Sequence, residues 1–442
     1  MASAAEQLAQ SFNLSAFSKA TELKQRIWFT LGALVVYRLG TFIPLPGIDP
    51  IAMADLFSQQ AGGLLGMFNM FAGGSIERMA IFALGIMPYI SASIIVQLMT
   101  SVSPTLAQLK KEGESGRKKI NQYTRYGTVL LTTVQGYGVA VLLSDQGVVI
   151  DPGPFFLATT VITLVGATMF LMWLGEQITA RGVGNGISLI IFAGIVAELP
   201  SALAQLFTLS WEQGVIQGWF VLLLLVLATA LIVIIVFFER AQRRLVVQYP
   251  KRQVGNRMFQ GDSSHLPLKL NTAGVIPPIF ASSLLLLPAT IVPLMGGGGD
   301  IATTVTSALG HGQPLYLVLY LSAIVFFCFF YTAIVFNPQD TADNLKKHGG
   351  FLPGIRPGDR TAEYIDYVLT RITAVGAIYL AGVCLVPELL IAQAAVPFYL
   401  GGTSLLIVVN VTLDTITQVH SHLLAHQYEG LIKKSRLGKG RR

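Results

Sequence analysis

Apolar residues follow one another in long, nearly unbroken runs along most of this chain, and short polar or charged stretches separate the runs. A helix that crosses a bilayer needs about 20 predominantly apolar residues. These runs do not show the alternation of apolar and polar residues that marks the strands of a transmembrane β-barrel. The pattern therefore predicts ten membrane-spanning helices, at residues 27–43, 79–99, 127–143, 155–174, 187–203, 219–238, 273–294, 315–336, 372–386 and 398–413.

Composition and charge add a protein class and an orientation to this pattern. Hydrophobic residues make up 53% of the 442 residues and charged residues only 12%, so a water-soluble protein could not cover its surface with polar groups. The chain nevertheless carries a net charge of +7, and 28 of its 30 Lys and Arg residues lie before the first span, in every second loop or in the tail. Because basic segments of this kind stay in the cytoplasm, both termini are predicted to be cytoplasmic.

Ten spans divide into two groups of five, and the predicted halves are residues 1–204 and 205–442. Because each half holds an odd number of spans, the two would enter the membrane from opposite sides, as inverted repeats do. The segments Gly85–Ser93 of span two and Gly274–Ser282 of span seven share five identical residues of nine. The alternative is a chance similarity between two helices rich in small residues. The prolines in both segments are expected to kink their helices.

An apolar segment that is too short to cross the membrane precedes the second span. It runs from Gly62 to Gly74, and glycines bracket it on both sides. Its pattern fits a helix that lies on the outer surface of the membrane with its apolar face in the headgroup region. It also fits a mobile re-entrant helix that folds back into a cavity, and the residues taken alone favour the surface helix.

The chain has few residues that could catalyse a reaction, bind a metal or couple transport to an ion. The centres of the predicted spans carry almost no ionisable residue, which argues against a proton- or sodium-coupled transporter. No nucleophile–base pair and no pair of carboxylates stands out, so no catalytic residue and no cofactor is predicted. Gly182–Gly186 has the glycines of a phosphate loop but neither the preceding strand nor the following Lys, and a tight cytoplasmic turn fits better. His422 and His426, with His420 nearby, have a metal-ligand spacing, but histidines on a solvated tail helix are the commoner case, and no metal is predicted.

Most of the positive charge on the cytoplasmic side lies in loops 239–271 and 337–366 and in the tail 420–442. One interpretation is that these residues fix the orientation of the chain and contact anionic lipid. The two loops are longer than orientation requires, and such a basic surface also suits an acidic protein or RNA. Composition does not decide between an acidic protein and RNA as the partner.

Motifs along the whole chain resemble those of the SecY/Sec61-alpha family, whose members form the central channel of the protein translocase. The matching segments are Phe82–Ile95, Thr124–Thr128, Gly175–Thr179, Gly184–Ser188, His265–Lys269, Ala273–Pro277, Phe336–Pro338, Thr341–Lys347, Pro353–Gly358 and Gly401–Ile407. The resemblance implies an all-α polytopic membrane protein in which ten transmembrane helices form two inverted five-helix halves, arranged as a clamshell around a central pore.

The resemblance also implies roles for particular residues. A ring of aliphatic side chains that seals the pore would consist of Ile86, Ile90, Ile187, Ile191, Ile279 and Ile407. A plug in segment 62–74, which favours re-entrance for that segment, would be centred on Met67, Phe68, Asn69, Met70 and Phe71. A lateral gate between spans two and three and spans seven and eight would contain Pro88, Ser91, Gln97, Asn271, Pro277 and Ser282. A surface that docks a motor or a ribosome would contain Arg243, Arg244, Lys251, Arg252, Arg257 and Arg356.

The function that the resemblance implies is transport of unfolded secretory polypeptides across the cell inner membrane, with release of transmembrane segments sideways into lipid. The implied partners are the SecE and SecG subunits, the SecA motor ATPase, translating ribosomes with their nascent chains and rRNA, signal peptides and membrane lipids. The rival hypothesis is an inverted-repeat secondary transporter for a small solute. Such a transporter should show charged or unwound binding groups near the middle of the membrane.

Overall fold

The computed structural model describes residues 21–60, 69, 72–211, 217–249, 252–254, 257–259, 263–294, 313–394 and 402–439. Within these residues the chain forms thirteen α-helices and four β-strands. The helices are α1 (Thr21–Gly40), α2 (Pro50–Gln60), α3 (Met87–Val102), α4 (Pro104–Lys111), α5 (Glu114–Asp145), α6 (Pro154–Arg181), α7 (Gly186–Trp211), α8 (Gly218–Arg240), α9 (Ile276–Leu294), α10 (Pro314–Val335), α11 (Pro338–Lys347), α12 (Asp359–Ala394) and α13 (Gly402–Lys439). The strands are β1 (Gln242–Gln248), β2 (Arg252–Val254), β3 (Arg257–Phe259) and β4 (Ser263–Lys269).

Each of the ten predicted spans overlaps a helix of the structure, and the fold is all-α and polytopic in its membrane-spanning part. Residues 79–86 of the second predicted span precede α3, and residues 398–401 of the tenth lie outside the described residues. By length and composition, seven helices of the described chain can each cross a membrane: α5, α6, α7, α8, α10, α12 and α13. The pair α3 and α4 forms an eighth candidate, bent by 99° at the break between the two helices. The remaining predicted spans are α1, which carries Glu22, Lys24 and Arg26 near one end and Arg38 near the other, and α9, which contains the shorter apolar stretch Ile276–Leu285.

The prolines of spans two and seven begin helices, so the expected kinks are wrong. Pro88 and Pro277 are the second residues of α3 and α9. A proline in the first turn forfeits no helical hydrogen bond, because the first four N–H groups of a helix have no partner within it. Two residues before each helix lies a glycine with left-handed backbone, Gly85 with φ +54° and Gly274 with φ +64°. The two segments thus share a local conformation as well as five residues, which favours a repeat over chance similarity.

One compact unit of the chain comprises Met1–Ser93, Gln122–Ser201 and Ile407–Arg442. In this unit α1 packs against α6, and Pro44 forms an isolated antiparallel β-bridge with Ala80. Its apolar cluster links α2, the end of α5 and the start of α6, and it contains Leu45, Met53, Met79, Ala83, Ala140, Leu143, Val148, Val149, Phe156 and Leu164. Burying one Leu or Phe side chain stabilises a fold by about 1.5–3 kcal/mol, so this cluster fixes the segments on both sides of α2.

The second compact unit comprises Ile94–Asn121 and Ala202–Leu406. In this unit α10 packs against both α9 and α12, and α8 and α11 also pack against α12. α12 is 36 residues long, and α8, α10 and α11 share it as a neighbour.

The basic loop 239–271 contains strands, which the sequence pattern did not predict. β1 pairs with β4 in antiparallel fashion over seven residues, beginning with Gln242 opposite Lys269. β2 pairs with β3 over three residues, beginning with Arg252 opposite Phe259. The loop is therefore a two-stranded ribbon with a smaller paired segment between its long strands.

The ribbon shares an apolar core with the second basic loop, 337–366. Leu245 and Val247 of β1 are buried while the residues beside them are exposed, as expected for a strand with one covered face. Gln248 and Phe351 exchange two backbone N–H···O bonds of 2.9 Å, which joins the two loops directly. We call the buried cluster between them the loop core, and its members are Leu245, Val247, Leu268, Leu352 and Ile365. The two loops are thus parts of one folded body.

Candidate functional site

The six isoleucines assigned to a pore ring all lie at the beginnings of helices. Ile86 immediately precedes α3, and the other five lie within the first six residues of α3, α7, α9 or α13. Ile86, Ile90, Ile191 and Ile407 are buried, whereas Ile187 and Ile279 are half-buried. Five of the six belong to the first compact unit, and Ile279 belongs to the second. The six positions therefore share one structural property, although they come from four different helices.

Hydrogen bonds from three helices fix the turn that precedes Ile187. The hydroxyl oxygen of Thr30 on α1 accepts from the N–H of Val183 at 3.0 Å, and the side-chain oxygen of Gln418 on α13 accepts from the N–H of Gly184 at 2.8 Å. The hydroxyl oxygen of Thr179 on α6 accepts from the N–H of Gly186 at 2.9 Å. The tight turn predicted at Gly182–Gly186 is confirmed, and it sets where α7 begins.

Two ring helices begin with a glycine that lies against the backbone of a neighbouring segment. A Cβ atom on Gly186 would overlap the carbonyl oxygen of Gly175, and a Cβ atom on Gly402 would overlap the carbonyl oxygen of Val383. Any other residue would force these helices apart. The start of α7, near Ile187, and the start of α13 are thus positioned by backbone packing.

Asn69 is the one assigned plug residue within the described chain, because Met67, Phe68, Met70 and Phe71 lie outside the described residues. Its side chain is buried, and its Oδ1 atom accepts from the backbone N–H groups of Ile76 and Glu77, both at 3.0 Å. Its backbone oxygen accepts from the N–H of Gly74 at 2.8 Å. Asn69 therefore binds the segment that leads from the predicted plug to α3.

That following segment is itself held on both sides. Ser75 is fully buried, and its hydroxyl donates to the carbonyl oxygen of Ala72 at 2.6 Å. The N–H of Leu45 donates to the carbonyl oxygen of Met79 at 2.9 Å. Within residues 72–79, Ser75 is thus bonded internally, and Met79 is bonded to the segment that follows α1.

The assigned gate residues have different surroundings. Pro88 and Ser91 belong to the first compact unit, and Gln97, Asn271, Pro277 and Ser282 belong to the second. Asn271 donates to the Glu239 carboxylate at 2.6 Å and accepts from the N–H of Gly274 at 3.0 Å, so it links the end of α8 to the turn before α9. The Ser282 hydroxyl donates to the carbonyl oxygen of Ile279 within α9. Among the described residues the buried Oε1 atom of Gln97 has no hydrogen-bond partner.

The assigned docking residues lie on both joined loops. Arg243 and Arg244 are exposed on β1, and Arg356 is exposed in the turn before α12. Arg252 and Arg257 lie in β2 and β3, and Lys251 lies outside the described residues. The carbonyl oxygen of Arg356 accepts from the Thr361 hydroxyl at 3.0 Å, which fixes the backbone of that turn.

The sequence did not predict the ion pair that joins two of the motifs shared with the family. Arg125 of α5 and Glu176 of α6 approach to 2.6 Å. The residues are 51 positions apart, and only their charges and their motif membership could have suggested a pair.

No metal site is visible in the part of the chain that the structure describes, since it contains no group of three or more His, Cys, Asp or Glu residues able to hold an ion. His420 and His422 lie on α13.

Comparisons with known proteins agree on one family. The family model for SecY matches residues 80–416. The protein translocase subunit SecY of Escherichia coli strain K12 is 58% identical over 427 residues, which cover 95% of this chain and 96% of that protein.

Solved structures match over most of the chain at low identity and therefore show the fold. A protein conducting channel matches with a TM-score of 0.62 at 16% identity, over 91% of this chain and 93% of its own. A SecY protein, whose plug domain stabilises the closed state of the translocation channel and maintains a membrane seal, matches with a TM-score of 0.59 at 18% identity and the same coverage. Sec61 from the canine ribosome-channel complex of the endoplasmic reticulum matches with a TM-score of 0.60 at 17% identity, again over 91% and 93%.

Proposed function

The chain belongs to the SecY family, and from this membership we propose how its residues seal, open and dock a protein-conducting channel. The chain is a channel subunit of a protein translocase. The observation that carries this function is the 58% identity to a curated translocase subunit over 95% of the chain.

We propose that the channel passes unfolded secretory polypeptides across the membrane and releases transmembrane segments sideways into lipid. The isoleucine ring, Ile86, Ile90, Ile187, Ile191, Ile279 and Ile407, would form the seal. An aliphatic constriction excludes water and therefore resists ion flow, and it offers a passing chain no polar group that would hold it. The common position of all six residues at helix beginnings supports this assignment. A small-solute transporter should instead show charged or unwound binding groups.

Segment 62–74 would be the plug of the resting channel. Its support is the anchoring of Asn69, which accepts from the backbone N–H groups of Ile76 and Glu77 and so binds the connection that leads to α3. A segment lying loosely on the membrane surface would have no need of these buried hydrogen bonds.

The lateral gate would lie between α3 and α5 on one side and α9 and α10 on the other. Its support is the equivalence of α3 and α9, each of which follows a left-handed glycine and carries a proline in its first turn. The buried oxygen of Gln97, which lacks a partner among the described residues, fits a polar position whose surroundings change when the gate opens. The predicted halves 1–204 and 205–442 would each contribute one of the paired helices.

The joined basic loops would dock a motor or a ribosome on the cytoplasmic side. Their support is the shared loop core, which presents Arg243, Arg244 and Arg356 from one folded body. We infer that the partners are the SecE and SecG subunits, the SecA ATPase and translating ribosomes, and that the chain itself hydrolyses nothing. The membrane would be the cell inner membrane, with both termini in the cytoplasm.

Cross-linking of a stalled secretory chain tests the pore. Single cysteines at Ile86, Ile191 and Ile279 should each cross-link to the stalled chain if they line its path. Matched cysteines at Ile162 and Ile378, which are 71% and 73% exposed on helix surfaces, should not. Cross-links only at the two exposed positions would overturn the assignment of the pore.

A further inference from the structure

Two glycines that follow the predicted plug centre are packed tightly against α1 and α7. Gly73 and Gly74 both have left-handed backbone, with φ of +65° and +77°. A Cβ atom on Gly73 would lie 3.1 Å from the Tyr37 hydroxyl oxygen and 3.1 Å from the Cα atom of Gly194. A Cβ atom on Gly74 would overlap the Glu198 carboxylate. The turn therefore lies directly against both helices, and its left-handed backbone favours glycine at both positions.

Arg38, in the last turn of α1, binds this turn through its guanidinium group. Its Nη1 atom donates to the carbonyl oxygen of Gly73 at 2.6 Å. A hydrogen bond from a charged donor is shorter and about twice as strong as a neutral one. The guanidinium carbon also lies 4.9 Å from the centre of the Phe42 ring, which helps to fix the direction of the side chain.

Glu198, on α7, completes the arrangement from the other side of the turn. Its Oε1 atom lies 3.8 Å from Nη2 of Arg38, and its Oε2 atom accepts from the Ser201 hydroxyl at 3.3 Å. The Arg38 and Glu198 side chains are 31% and 22% exposed, so water and salt screen this pair less than they screen an exposed one. The carboxylate therefore stabilises the guanidinium where it binds Gly73.

We propose that Arg38 and Glu198 form a latch that holds the Gly73–Gly74 turn, and with it the end of the plug segment, in the closed channel. The inference rests on the proposed function, since it takes segment 62–74 to be the plug. To leave its closed position the plug has to pull on this turn, and the turn cannot move without breaking the bond from Arg38. Both are positioning residues, because they act on the plug and not on the transported chain.

Ion leak through resting channels in proteoliposomes tests the latch. The Arg38→Gln variant should raise the leak about tenfold, because the loss of a charged hydrogen bond shifts the closed–open equilibrium by about that factor. Arg38→Lys keeps a charged donor and should restore most of the closure. Arg78→Gln is the matched control, since the Arg78 guanidinium lies over the same Phe42 ring at 4.5 Å, and it should leave the leak unchanged.

A second variant and a second readout separate a latch from a merely structural contact. Glu198→Gln should raise the leak about threefold, as expected for the loss of one partly screened ion pair. Both variants should still export a precursor with a normal signal sequence, which shows that the channel is folded. Both should also export more of a precursor with a defective signal sequence, which a general loss of stability would not produce.

Deletion of residues 62–74 in the same assay distinguishes failure of the latch from failure of the plug. If the deletion leaks and Arg38→Gln does not, the latch is wrong and the plug assignment stands. If the deletion itself does not leak, the proposed plug fails and the latch fails with it. If Arg38→Lys leaks as much as Arg38→Gln, the charged donor is irrelevant and the latch is also wrong.

Discussion

The Nη2 atom of Arg125 lies 2.6 Å from Oε2 and 2.9 Å from Oε1 of Glu176, so one guanidinium nitrogen donates to both carboxylate oxygens. The pair joins α5 to α6. It also brings together two separate motifs, Thr124–Thr128 and Gly175–Thr179, that the sequence resemblance treats as independent. Two motifs that are far apart in the chain are therefore in direct contact through this ion pair.

This ion pair should contribute modestly to stability. The side chains are 47% and 33% exposed, and pairs of this kind contribute about 0–1 kcal/mol. A double-mutant cycle with Arg125→Gln and Glu176→Gln, measured by unfolding in detergent, should give a coupling energy of a few tenths of a kcal/mol up to about 1 kcal/mol. The control cycle uses the more exposed pair Arg360 and Glu363, and its coupling should be close to zero. Equal coupling in the two cycles would contradict a larger contribution from the less exposed Arg125–Glu176 pair.

The glycines that begin α7 and α13 should not tolerate a methyl group. Gly186→Ala and Gly402→Ala would each place Cβ into a neighbouring carbonyl oxygen, that of Gly175 or Val383, and overpacking of this kind costs about 1–3 kcal/mol. Thermal unfolding should show the loss in both variants. Gly166→Ala is the control, because a Cβ there meets no atom within 4 Å, and it should have little effect. Loss of the same size in all three variants would rule out the packing explanation.

The Asn69 side chain should be required for closure of the channel. Asn69→Ala removes the acceptor for the N–H groups of Ile76 and Glu77, and a buried donor left without a partner costs about 1–3 kcal/mol. Resting ion leak should therefore rise. Asn69→Asp keeps an acceptor oxygen at the same distance along the side chain and should leak less than Asn69→Ala. A lower leak in Asn69→Ala than in Asn69→Asp would refute this role.

Arg356 should be needed for motor-driven export and not for folding. Its side chain is exposed, while neighbouring Leu352 is buried in the loop core, so Arg356→Glu should leave the fold intact and abolish ATPase-dependent export. Arg360→Glu, four residues further on and also exposed, should export almost normally. The measurement is export of a precursor into inverted membrane vesicles, with protease resistance as the folding control. Near-normal export by Arg356→Glu would remove the docking role.

Ile407 should be part of the seal. It is 1% exposed, and Ile407→Asn places a polar amide where an aliphatic group now excludes water. The variant should raise resting ion leak and export precursors with defective signal sequences. Ile416→Asn, on the same helix but 41% exposed, is the matched control and should do neither. An unchanged phenotype at both positions would argue against a pore position for Ile407.

The helices could be predicted because length and apolarity determine them locally. Each of the ten apolar runs overlaps a helix, since a backbone in lipid has to satisfy its own hydrogen bonds. The role of the prolines could not be predicted from composition, because a proline at the start of a helix and one within it look alike until the helix start is known. The sequence signal for the helix start was the glycine three residues before each proline, Gly85 or Gly274. The structure shows that both glycines have the left-handed backbone that glycine adopts readily.

The contacts of the site could not be predicted, because they join residues distant in sequence. Arg38 and Glu198 are 160 positions apart, and no pattern along the chain pairs them. The β-ribbon was missed for another reason, since its many charges hid the alternation of Leu245 and Val247 with exposed neighbours. The isoleucine ring came from family resemblance alone, because an isoleucine in a seal and one facing lipid have the same chemistry.

The backbone pairing of Gln248 with Phe351 means that the two basic loops should move together. If a motor docks on Arg356 as proposed, a push there would also move β1, because both loops close over the loop core. The force would pass from this joint into α12, which begins at Asp359, directly after the Arg356 turn. α8, α10 and α11 all pack against α12. A small tilt at the docking surface would therefore work as a lever on α8, α10 and α11 together.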